Sequence, residues 1–104
     1  MGYKKFSRKS NSQLQRHIRA KAENSSNVVI LIHASVQMKA RFVSRLEVLE
    51  CLRNGVIVRT PEPDLQHEAL RCRMEHYIGG RNCVAIVSLR DEAADLIVVT
   101  VMTT

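Results

Sequence analysis

The sequence predicts an α+β domain in which N-terminal helices pack on a mainly antiparallel sheet of four to five strands. Three observations predict it. Ser44-Arg45-Leu46-Glu47 is a capping box that opens a run with apolar residues at helical spacing. Beyond Gly55 the period becomes strand-like, with strict alternation over residues 69–78. Two apolar runs then follow at 83–89 and 96–102, spaced as a meander. A chain of 104 residues has room for one core.

Taken in order, residues 1–11 are rich in Lys, Ser and Asn and read as disordered. Residues 12–22 read as a short helix with Ser12 as N-cap, Leu14 and Ile18 on one side and Arg16 and Arg19 on another. A polar linker follows at 23–27. The division is therefore a basic, partly disordered or helical arm and linker at 1–27, and a single α+β domain at 28–104. On this reading the arm is dispensable, and a chain beginning at Ser26 folds.

Val28-Val29-Ile30-Leu31-Ile32 is an apolar, largely β-branched run bounded by polar residues, which predicts a buried strand. His33 then falls at a strand-to-helix junction. Ser35 is expected to cap a helix in which Ala34, Met38 and Phe42 recur every four residues. The box at Ser44 predicts a helix over 45–53, with Val43 and Val48 as a hydrophobic staple and Val48, Leu49 and Leu52 facing the core. Asn54-Gly55 is expected to supply a left-handed stop.

Residues 56–60 predict a strand, ended by Pro61-Glu62-Pro63-Asp64 because proline has no N–H for a ladder. Over 69–78, Leu70, Cys72, Met74, His76 and Ile78 take one face; Arg71, Arg73, Glu75 and Tyr77 take the other. Gly79-Gly80 is a turn, and residues 90–95 join the last two strands.

The net charge of +6 is confined to the N-terminal segment. Residues 1–24 hold seven basic side chains against Glu23, whereas 25–104 hold nine basic and nine acidic ones. Such a segment either reaches for nucleic acid phosphates or is a solvated tail. With only Phe6, Phe42, Tyr3 and Tyr77 aromatic, a base-stacking platform is not expected. Cys51, Cys72 and Cys83 form an odd set with no close pair, which points to a reducing, cytoplasmic setting. No apolar run approaches the roughly 20 residues of a membrane helix, so no membrane partner is expected. The spacings of His67, Cys72, His76 and Cys83 match no standard zinc module, so neither metal nor cofactor is expected. His67 stands near a loop and His76 on the apolar face, and neither carries a functional expectation.

His33-Ala34, Met38, Arg41, Ser44, Val48 and Gly55-Val56-Ile57 resemble the opening of a small bacterial domain-of-unknown-function family found in mobile elements and toxin–antitoxin-like neighbourhoods. Cys72-Arg73-Met74-Glu75, Gly80-Arg81 and Val98-Val99-Thr100 resemble its strand signatures. The resemblance spans residues 28–102. The family is grouped with RelE-like toxins, within the fold shared by barnase-, EndoU- and colicin-type ribonucleases. That grouping implies metal-independent RNA cleavage, RNA as partner, and an antitoxin protein as a second one.

Cleavage of that kind needs a base for the ribose 2′-hydroxyl, cations for the phosphate and an acid for the leaving oxygen. His33 and Glu75 are the acid/base candidates. Arg41, Arg71, Arg73, Tyr77 and Arg81 are the candidates for holding RNA. Each also has a plain structural role open to it: His33 as a capping residue, the strand residues as the solvent face of a sheet. The alternative function is a non-catalytic mobile-element protein that binds a protein partner or nucleic acid through its sheet face and arm. The balanced charge of 25–104 leans towards that alternative. Monomer and homodimer are both open.

Overall fold

The computed structural model describes residues 2–104. The helices are α1 (Lys4–Ser7), α2 (Asn11–Ala22), α3 (Ile32–Ala40) and α4 (Arg45–Asn54). The strands are β1 (Val28–Ile30), β2 (Val56–Ile57), β3 (Glu62–Asp64), β4 (Ala69–Ile78), β5 (Arg81–Leu89) and β6 (Leu96–Thr103). The α+β class is as expected. The sheet has six strands in the order β1-β6-β5-β4-β2, with β3 on the same edge of β4 as β2. β1 runs parallel to β6, and every other pairing is antiparallel.

The helices cover one face of this sheet. The core joins Leu14, Ile18 and Ala22 of α2, Ala34 and Met38 of α3, and Val48, Cys51 and Leu52 of α4 to Cys72, Met74, Ala85, Val87, Val98 and Val101 of the central strands. The registers Cys72↔Val87 and Met74↔Ala85 place these strand residues on a shared face. A register shift at Ile86/Val87 sets Val98 opposite Val87 and Val101 opposite Ala85, so both valines of β6 point inward.

The N-terminal segment is part of this core. Phe6, Leu14, Ile18 and Ala22 are all buried, so residues 4–22 do not form an arm outside the packing. α2 starts at Ser10 instead of Ser12, with Ser10 and Gln13 forming the capping box. Gln15, which would complete a box from Ser12, instead accepts a hydrogen bond from Ile57 N at 3.0 Å. α2 and α4 also cap one another. Arg19 donates to the carbonyls of Gly55 and Asn54 at the end of α4, and Arg53 donates to Ala22 O and Glu23 O at the end of α2. Helix C-termini leave carbonyls without partners and attract cations, so these two arginines serve the fold.

The helix at α4 is as the sequence predicts, with the box between Ser44 and Glu47 complete. Gly55 differs from expectation: its φ of −75° is not left-handed. Glycine is required there for space, because a Cβ would fall 2.9 Å from Glu75 O and closer still to Cys51 O. The strand expected over 28–32 ends at Ile30, since Leu31 N closes the ladder on Val98 O and Leu31 itself is the N-cap of α3. Ser35 therefore lies inside α3 and is not its cap. Phe42 lies past the end of α3 with φ +54° and is 86% exposed, while Val43 takes the buried place. The strand expected over 56–60 is only two residues long, and the proline segment after it forms β3. Pro63 is tolerated because β3 is an edge strand, where a missing N–H leaves no ladder partner unsatisfied.

No described helix is long and apolar enough to cross a membrane.

Candidate functional site

Alternation along β4 turns Arg71, Arg73, Glu75 and Tyr77 away from the helices. Their partners on β5 are Ser88, Ile86, Val84 and Asn82, so all eight share the second face of the sheet. None of the described helices lies on that face, and Tyr77 is 70% exposed there. The structure thus brings four of the seven expected site residues together.

Within this group the charges are partly used. Arg73 Nε donates to Glu75 at 3.0 Å, with 18% and 16% of the two side chains exposed. Asn82 Nδ2 donates to the other Glu75 oxygen at 2.9 Å. Burial pushes the Glu75 carboxyl up, but the hydrogen bonds from Asn82 and Arg73 outweigh it, and the group sits below its usual range. An ionised carboxylate held this way is a weak base. Glu75 is better suited to orienting Arg73 than to moving a proton.

Arg81 and Arg41 lie elsewhere. The Arg81 guanidinium donates to Arg41 O, Phe42 O and the Glu47 carboxylate, so it caps the end of α3 and ties it to α4. Arg41 is the C-cap of α3 and contributes its carbonyl to this link. His33 is exposed in the first turn of α3, directly after β1. β1 and β4 are separated by β6 and β5, on the order of 14 Å at the usual spacing of strands. His33 and Glu75 therefore do not meet on one ligand.

A group that the sequence did not single out stands at the other end of β4. The turn after β3 carries His67, whose Nδ1 lies 2.8 Å from Asp64 Oδ2, and Arg71 Nη2 approaches the same oxygen at 3.0 Å. The hydrogen bond from His67 and the nearby Arg71 hold the Asp64 carboxyl below its usual range. An ionised carboxylate has no proton to give, so His67 donates through Nδ1, and its Nε2 has no hydrogen-bond partner among the described residues. These three residues line a cavity of about 270 Å³ together with Ser88 and Arg90, over an apolar floor that includes Ile97. Ser88 is the sole buried polar side chain among the described residues. The only hint in the sequence was the three-residue spacing of Asp64 and His67 in a proline-bounded turn.

The cysteines are not part of either group. All three are free and buried. Burial pushes the Cys72 thiol up to about 12, and Cys51 is raised further by its contact with Cys83, which makes poor nucleophiles of both. Among the described residues no cluster of three or more His, Cys, Asp or Glu side chains is placed to hold a metal ion.

Fold and site together define a two-layer α+β protein with one sheet face covered by helices and the other, part apolar and part charged, free of the described helices. The chain belongs to the family described as a domain of unknown function (DUF4258), whose family model matches residues 30–103. The match begins at the end of β1, so α1 and α2 precede it although both contribute to the core. No curated protein and no solved structure gives a match to the chain.

Proposed function

We propose that this protein binds RNA along the open face of its sheet, as a toxin domain of the RelE-like kind that cleaves its target without metal. One observation carries the proposal: a complete sheet face, uncovered by any helix, presents Arg71, Arg73 and Tyr77 in line on one strand. Arg71 is 44% exposed, and its planar fork suits phosphate oxygens. Arg73 is held in place by Glu75, so it meets a ligand without first losing rotamer freedom. The strand segments around Cys72–Glu75 and Val98–Thr100 resemble those of the domain-of-unknown-function family, and the RNA class rests on grouping that family with RelE-like toxins. An antitoxin protein is the partner that this class implies.

A protein-only partner is the competing reading, and a specific feature favours it. Ile86, Ile97, Val99 and Met102 make the same face half apolar, and the Arg73–Glu75 pair neutralises part of its charge. Salt dependence separates the two. For single-stranded RNA the affinity should fall steeply with salt, and Arg71→Ala should make the slope shallower by roughly 0.7 for the lost phosphate contact. Affinity that is absent, or the same at low and high salt, removes the RNA reading.

A further inference from the structure

We infer that the cavity at the turn between β3 and β4 is the site of RNA cleavage, with His67 as its proton-transferring residue, Asp64 as the positioning residue and Arg71 and Arg90 as the phosphate clamp. The inference rests on the RNA-binding proposal and goes beyond it by naming where the bond is broken. Three independent features converge. The imidazole is oriented by a carboxylate at 2.8 Å and remains 61% exposed, so its second nitrogen is accessible. Two cations flank it: Arg71, fixed by the same carboxylate, and Arg90, which has no ion-pair partner among the described residues. The buried Ser88 adds a polar group beside the apolar floor of Leu31, Ile97 and Val99.

The volume of about 270 Å³ suits one nucleotide's ribose and phosphate rather than a whole oligonucleotide. The remaining chain would run along β4 past Arg73 and Tyr77, which share the face with Arg71. In the reaction, His67 Nε2 takes the proton of the ribose 2′-hydroxyl, and the 2′-oxygen forms a bond to phosphorus. The bond from phosphorus to the 5′-oxygen breaks, that oxygen leaves with the electron pair, and water supplies its proton. The products are a 2′,3′-cyclic phosphate and a 5′-hydroxyl end. Arg71 and Arg90 neutralise the charge that builds on the phosphate oxygens. Glu75 takes no part, which agrees with its low proton affinity.

The test is cleavage of a labelled single-stranded RNA in EDTA by the full chain, with binding measured in parallel on the same RNA made with 2′-deoxyribose. Wild type should cut the ribose form to cyclic-phosphate ends and bind the deoxy form without cutting it. His67→Gln should lose cleavage by about a hundredfold or more while binding stays within about twofold, as expected for loss of a general base. Asp64→Asn should lower kcat and, because Arg71 is held by the same carboxylate, raise KM too, with the melting temperature unchanged, whereas a merely structural Asp64 would lower the melting temperature. Arg90→Ala, at an exposed position, should weaken binding and cleavage together. Salt-dependent binding with no cleavage by wild type, or equal cleavage by His67→Gln, overturns this inference and leaves the RNA-binding proposal standing. Absence of binding overturns both.

Discussion

A chain that begins at Ser26 lacks α1 and α2, and the consequence follows from what those helices bury. Leu14 and Ile18 are exposed by no more than 1%, and Phe6 by 3%. Truncating a buried Leu or Ile to Ala costs about 2–5 kcal/mol, and a buried Phe about 3–5 kcal/mol. Removing all three side chains along with their backbone therefore forfeits roughly 7–15 kcal/mol, as much as the whole stability of an ordinary domain. The loss also frees Ile57 N from Gln15 and leaves the last carbonyls of α4 without Arg19. Urea denaturation followed by far-ultraviolet circular dichroism should show a cooperative transition for the full chain and none for the shortened one. A shortened chain that melts cooperatively within a few degrees of full length would refute the claim that α1 and α2 belong to the core.

Four further outcomes follow from the same packing. Leu52→Ala should destabilise by about 2–5 kcal/mol, since Leu52 is fully buried in the core. Ser44→Ala should cost about 0.5–2 kcal/mol through the lost cap, and finding it the costlier of the two in chemical denaturation would contradict the assignment of α4. Gly55→Ala should cost at least about 1–3 kcal/mol, because the added methyl meets the backbone oxygens of Cys51 and Glu75; a neutral result would show that β2 can move away from α4. Acid should destabilise the fold. The hydrogen bond from Arg81 lowers the Glu47 carboxyl, and those from Asn82 and Arg73 lower Glu75 despite its burial. Their stabilisation is complete above the ordinary carboxylate value of 4.5 and is lost as pH falls through the lower folded values. Thermal melts should begin to fall as pH drops through the ordinary histidine value of 6.5, because burial and the nearby Lys21 hold His17 below it. They should fall again below about pH 4.5, and Glu47→Gln should reduce that second fall. A profile unchanged by that substitution would show that the Glu47–Arg81 pair adds nothing.

Some of this architecture was legible in the residues and some was not. The box at Ser44 and the alternation of β4 are local signals, because capping and strand periodicity are decided within a few residues. The start of α2 was ambiguous for a physical reason: Ser10-x-x-Gln13 and Ser12-x-x-Gln15 both satisfy the box, and the choice depends on Ile57, far away in sequence. Leu31-Ile32 suits a strand or a helix start equally well, so only pairing with β6 fixes where β1 ends. Charge misled most. Arg19 and Arg81 look like ligand-seeking cations in sequence, yet each points at the carbonyls of a helix end. The site was half visible. The face of Arg71, Arg73, Glu75 and Tyr77 follows from period two, but the approach of Asp64 to both His67 and Arg71 requires β3 to fold against β4. An edge strand built around Pro63 carries no signal that would announce it.

On the proposed function, RNA lies on the helix-free face of the sheet. Amide and side-chain chemical shifts of the full protein, followed during titration with a 2′-deoxy-substituted single-stranded oligonucleotide, test it residue by residue. The largest changes should fall at His67, Arg71, Tyr77, Ser88 and Arg90, with Leu14, Leu52 and the outer surface of α4 unmoved. Changes centred on α2 and the N-terminal lysines, with the sheet face silent, would contradict it.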